Sequence, residues 1–243
     1  MDLSLFARRC SEIFGDNLLS ILALGSSQRG DDNVFSDVDL VIILKNMDDK
    51  GVLFLRSFVR GMGDFIDCPI LCMDEILSDV NLFRLGGQGC YQLELILKGA
   101  DCVWGSNVLD CLPSPRREEI RRSVFDKISE YVCWVRRLVI ESNRERKIED
   151  NYKLNSRILK MVRDLLFLET EISLSFPNSV VLDIFIQRHG SELSVEEVNL
   201  LLDLVDKSRV NANVANLSET YLSDRFCLVN KIYNLALNVV RSF

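Results

Sequence analysis

The hydrophobic rhythm of the chain changes near residue 113. Before that point, apolar residues gather in short unbroken runs at Leu18–Leu24, at Asp37–Leu44 after its opening aspartates, and at Phe65–Cys72. Runs of this length, rich in Val and Ile, predict strands buried in a sheet. Segments with helical spacing separate them. Residues 4–14 place Leu5, Phe6, Ala7, Cys10, Ile13 and Phe14 on one face of a short helix, with Gly15 as its stop. Val52–Val59 reads as a crossover helix, Asp74–Asn81 and Tyr91–Lys98 as further helices, and Asp101–Gly105 as a short closing strand. Pro69 fits only an edge strand or a bulge.

Pro113-Ser114-Pro115 forces extended backbone and marks a boundary. Beyond it the spacing is helical almost throughout. Ile120, Val124, Ile128, Val132, Val135 and Val139 repeat along Pro115–Arg144, and Leu154, Ile158, Met161, Leu165 and Leu168 along Asp150–Phe176. Pro177-Asn178 interrupts the pattern, and shorter helices follow at 179–189, 194–208 and 211–242. Ser194-Val195-Glu196-Glu197 has the form of a capping box at the second of these. The expectation is an α/β unit over residues 1–112, followed by an all-α helical bundle over residues 113–243.

Composition narrows the classes. Of 243 residues, 48% are hydrophobic and 27% charged, the balance of an ordinary soluble globular chain. No apolar stretch approaches the roughly 20 residues of a membrane span, and Met1–Arg9 lacks the pattern of a secretory signal. The eight cysteines contain no Cys-x-x-Cys pair, and the one histidine is His189, which argues against a zinc site. Reduced thiols in a cytoplasmic protein are expected. A net charge of −7 argues against broad nucleic-acid binding and suits a cationic small substrate.

The candidate chemistry lies in Gly25-Ser26-Ser27-Gln28-Arg29-Gly30, followed after five residues by Ser36-Asp37-Val38-Asp39-Leu40. In a strand, Asp37 and Asp39 point to one face. Two adjacent carboxylates disfavour each other's ionisation unless a cation compensates, and a hard divalent ion such as Mg²⁺ is the usual one. The Gly25-Ser26 turn offers backbone N–H groups and a hydroxyl to an anion. A carboxylate pair beside an anion-binding turn is what phosphoryl or nucleotidyl transfer needs.

These residues and their spacing resemble the signature of the DNA polymerase β-like nucleotidyltransferase superfamily, closest to its kanamycin-type and minimal members. The resemblance is specific over residues 21–44 and thins beyond about residue 105. It implies a small mixed sheet and transfer of a nucleoside monophosphate, most often AMP from ATP, with two Mg²⁺ ions. Asp37 and Asp39 would be metal ligands. The third carboxylate is assigned to Asp67, in Ile66-Asp67-Cys68, with Asp64, Asp74 and Glu94 as rivals. Asp67 would either complete the second metal position or deprotonate the attacking hydroxyl. Gly25, Ser26 and Ser27 would hold the β/γ-phosphates, with Ser36 beside them. Arg29 would either touch phosphate or order the Asp31/Asp32 loop.

For the helical part, Lys153, Arg157 and Lys160 fall on one face and are candidates for binding triphosphate. Glu145, Glu149 and Asp150 are candidate acceptor-side bases by the same resemblance. The acceptor would be a hydroxyl of an aminoglycoside- or lincosamide-like molecule, with antibiotic resistance as one setting, or a protein tyrosine or threonine. Homodimers occur in the superfamily. His189 reads as a surface helix-end residue, and Trp104 and Trp134 as packing residues. The rival expectation is an antitoxin-like, partner-binding protein that keeps the fold.

Overall fold

A computed structural model describes residues 3–24, 38–62, 66–78, 89–140, 148–170, 176–209 and 219–242. The first two apolar runs pair as antiparallel strands, β1 (Leu18–Leu24) and β2 (Val38–Leu44), with Leu24 opposite Asp39. On its other edge β2 pairs in parallel with β3 (Ile66–Asp67) and β4 (Ile70–Cys72). β5 (Asp101–Gly105) closes the far side, antiparallel to β1. The sheet is therefore mixed, in the order β3-β2-β1-β5, with β4 also on β2.

The pairs Val38↔Ile66, Asp39↔Asp67 and Ile42↔Ile70 keep one register, so β3 and β4 are a single strand interrupted at Cys68-Pro69. Proline has no N–H to give the ladder. Its carbonyl still accepts from the Ile42 N–H at 3.0 Å, which carries the register across the break. The strand expected over 65–72 is thus present from Ile66, on the sheet edge that proline tolerates.

Two parallel neighbours need a crossover, supplied by α2 (Asp49–Met62). Alternate residues of the strands enter two cores. Ile21, Ala23, Leu40, Ile42, Leu44 and Cys72 pack with Phe6, Cys10 and Phe14 of α1 (Leu3–Phe14) and Leu55 of α2. Leu22, Val41, Ile43 and Leu71 pack with Ile76 of α3 (Met73–Ser78) and with Leu93 and Ile96 of α4 (Gly89–Gly99). Burial on both faces is why these strands read as unbroken apolar runs. Each fully buried Leu or Ile contributes about 1.5–3 kcal/mol.

The chain divides into two compact units, Met1–Ile120 and Arg121–Phe243. The division falls in the first turns of α5 (Arg117–Ile140). The second unit is helical: α5 continues into it, followed by α6 (Ile148–Thr170), α7 (Asn178–His189), α8 (Val195–Arg209) and α9 (Glu219–Arg241). α6 is its centre and packs on α7, α8 and α9. Its Leu154, Ile158, Met161, Leu165 and Leu168 are all buried, at the spacing read from the sequence. Buried Arg163 donates to the Phe176 carbonyl and the Asn178 side chain, both at 2.7 Å, and ties α6 to the start of α7. The capping box is formed at α8: the Ser194 N–H donates to Glu197 and the Glu197 N–H to the Ser194 hydroxyl. Among the described residues no helix is long and apolar enough to cross a membrane.

Candidate active site

One row of β2 explains why a carboxylate stands at its end. Ile43 and Val41 are buried against α3 and α4, and two residues on the same row reaches Asp39, which is only half-buried. The apolar layer runs out there, so a charged group keeps part of its hydration. Two neighbours in the sheet converge on this position. Leu24, the last residue before Gly25, pairs with Asp39 from β1, and Asp67 pairs with it from β3. In a parallel pair such neighbours share a face of the sheet.

Gly25, Ser26, Ser27, Arg29, Ser36 and Asp37 lie outside the described residues, and Asp67 is placed by its backbone alone. Of the rivals to Asp67, Asp74 is exposed on α3, Glu94 is buried in α4 and paired with Lys98, and Asp64 lies outside the described residues. The sheet register thus brings Asp67, and neither Asp74 nor Glu94, beside Asp39. Among the described residues no three ligating side chains gather. The donor chemistry at hand, a half-hydrated carboxylate with a second aspartate in register, suits a hard divalent cation.

Within the helical unit the basic candidates separate. Lys153 and Lys160 are exposed, whereas Arg157 is half-buried and lays its guanidinium 3.6 Å from the Trp134 ring centre. Among the described residues the buried Nη1 of Arg157 has no hydrogen-bond acceptor. Burial lowers the pKa of Arg157 from its ordinary value, while Tyr131 and Glu130 oppose that shift. Buried Tyr131 is pushed the other way, first by burial and then by Asp164 and Glu130. The single basic stripe expected from helical spacing is therefore one stacked arginine between two exposed lysines. Nothing local in the sequence pairs residue 134 with residue 157. Glu145 and the side chains of Glu149 and Asp150 lie outside the described residues.

His189 corrects the sequence reading. It ends α7 as expected, but it is buried rather than on the surface. Its Nδ1 lies 3.0 Å from Glu192 and its Nε2 3.1 Å from Glu169, which also accepts from Arg188 at 3.1 Å. The ring packs on Phe185. Glu169 stands twenty positions upstream, so no local pattern announces this network. Trp104 packs against the α1/α2 core, as expected of a packing residue.

A family profile described as "Nucleotidyltransferase domain" matches residues 3–86, the segment that holds Gly25, Ser26, Asp37, Asp39 and Asp67. A Methanocaldococcus jannaschii protein named as a protein adenylyltransferase is 42% identical over 154 residues, 60% of this chain and 90% of that one. The chain belongs to the nucleotidyltransferase family. Its fold is also that of spectinomycin adenyltransferase AAD(9) from Enterococcus faecialis, solved with ATP and spectinomycin. That likeness has a TM-score of 0.71 at 16% identity and covers 96% of this chain and 98% of that one. The nucleotidyltransferase thus shares the neighbour's fold in both the α/β unit and the helical unit, while the profile match lies within the α/β unit.

Proposed function

We propose that this nucleotidyltransferase moves AMP from ATP to a hydroxyl group, with Asp37, Asp39 and Asp67 as its acidic centre. The observation that carries the reading is the register that sets Asp67 beside Asp39, opposite Leu24, the last residue of β1 and the one before Gly25-Ser26 in the sequence. Asp37, Asp39 and Asp67 would hold Mg²⁺, which when bound offsets charge on the phosphorus under attack and on the departing pyrophosphate. The Ser26 hydroxyl and the N–H groups around Gly25 and Ser27 would orient the β/γ-phosphates, with Ser36 and Arg29 beside them. Asp67 would complete the acidic set or take the proton of the attacking hydroxyl.

For the acceptor we favour a cationic, polyhydroxylated small molecule of the aminoglycoside or lincosamide type. A fold shared over both units with a spectinomycin-modifying neighbour supports this, as does the net charge of −7. A protein tyrosine or threonine is the second reading, supported by the 42% identical relative named for protein adenylylation.

The test is calorimetric titration of ATP and its analogues with Mg²⁺, on the wild type and on Asp37→Ala/Asp39→Ala. Metal-dependent binding lost in the double variant is the expected result. Label transfer from α-labelled ATP, to an aminoglycoside panel in one arm and to protein in the other, then separates the acceptors. A folded wild type that binds no nucleotide would overturn the enzyme reading in favour of a partner-binding protein.

A further inference from the structure

Asp39 shares its row of β2 with Val41 and Ile43, and α3 and α4 cover the face of the sheet that carries this row. Among the described residues of these two helices Lys98 is the one basic side chain, while α3 brings Asp74 and Glu75. Arg60 stands in the last turn of α2, but α2 packs on the opposite face with α1.

The topology fixes which end of α4 Lys98 occupies. Ala100 alone separates α4 from β5, whose first residue, Asp101, pairs with Ala23. Leu24 follows on β1 and pairs with Asp39. The last turn of α4 therefore lies at the end of the sheet where Asp39 and Asp67 stand, and Leu24, Leu97 and Ala100 pack against one core. Across the sheet the order runs from Asp67 to Asp39 to Leu24 to β5. Lys98 thus belongs to the Leu24 side, and Leu24 is the residue before Gly25-Ser26 in the sequence.

The Lys98 ammonium is ion-paired with Glu94, one turn back on α4; the lysine side chain is 42% exposed and that of Glu94 9%. A buried carboxylate is costly without a partner, so Glu94 fixes the ammonium against α4. A cation in the last turn also suits the helix dipole, but a dipole calls for no buried carboxylate to hold it. An ammonium carries three donors and is a compact point charge, which suits phosphate oxygens. Three carboxylates at one end of a sheet repel a triphosphate, and a cation set beside them offsets part of that repulsion. We propose that Lys98 binds the β- and γ-phosphates of the donor nucleotide. The proposal rests on the transfer reading above and adds to it a phosphate-binding residue outside the sequence motif.

Calorimetric titration of the full chain with ATP, pyrophosphate and AMP, each with Mg²⁺, tests it. Lys98→Met should weaken ATP and pyrophosphate by about tenfold to a hundredfold, the scale of a hydrogen bond between charged groups, and leave AMP unchanged. Lys98→Arg should recover most of that loss. In the wild type, saturating ATP should shield Lys98 from an amine-reactive label read by mass spectrometry, and AMP should not, a readout that needs no variant to fold. ATP affinity indifferent to Lys98→Met, in a chain with wild-type circular dichroism, overturns the proposal. So does labelling of Lys98 that ATP does not slow, or an equal weakening of AMP. A wild type that binds no ATP ends the transfer reading and this proposal with it. Binding lost on Asp37→Ala/Asp39→Ala but kept on Lys98→Met ends this proposal alone.

Discussion

Asp39 is a charged group at the point where a buried row of a strand ends, and its neighbours in register are the end of β1 and Asp67. Asp39→Asn keeps the volume and most of the hydrogen bonding but removes the charge. Transfer is expected to fall by at least about two to three orders of magnitude, the scale of losing one preorganised electrostatic group. The thermal midpoint should hardly move, and label transfer from ATP read beside a melting curve checks both. Cys10 makes the opposite case, a titratable group placed for packing. Burial, with Cys68 nearby, pushes its thiol from 9.0 up to about 12. Between those values the folded chain keeps a proton that the unfolded chain has released. Its contribution is therefore whole below about pH 9 and is lost as the pH rises toward 12. Across that window the urea midpoint of the wild type should fall more steeply than that of Cys10→Ala. Equal slopes would refute the assignment.

At the scale of elements, Gly105 decides whether β5 can close the sheet. Its φ is +81°, and a Cβ there would stand 2.4 Å from the Leu19 carbonyl oxygen. Gly105→Ala should cost about 1–3 kcal/mol from backbone conformation alone, and more from the clash, measured by chemical denaturation. Ser194→Ala removes one arm of the α8 cap and should cost about 1 kcal/mol. The sequence made most of these elements legible because their causes are local. Both-face burial writes β1 and β2 as apolar runs, 3.6-residue spacing writes α6, and Ser194 with Glu197 writes the cap. Pro69 was readable as an edge or a break, but not the Ile42 bond that carries register across it. The burial of His189 and the stacking of Arg157 were not legible for one reason. Each has a partner twenty or more positions away, Glu169 for one and Trp134 for the other. The candidate site was legible as a motif, and the structure added the long-range fact that residue 67 lies beside residue 39.

At the scale of the whole molecule, net charge separates the two acceptor readings. A chain at −7 attracts a polycation over a distance set by screening, about 10 Å at ~0.1 M salt and about 3 Å at ~1 M. If the acceptor is an aminoglycoside-like cation, long-range attraction assists its capture but not the chemical step, which takes place among groups at contact distance. Added salt should then raise KM for that acceptor several-fold between about 0.05 and 0.5 M, with kcat little changed. ATP carries the same sign of charge as the protein, so its KM should stay level or fall over that range. Initial rates measured over a salt series, varying each substrate in turn, give both numbers. A KM for the cationic acceptor that ignores salt would mean that its charge is not what the protein recognises. The protein-hydroxyl reading would then move ahead.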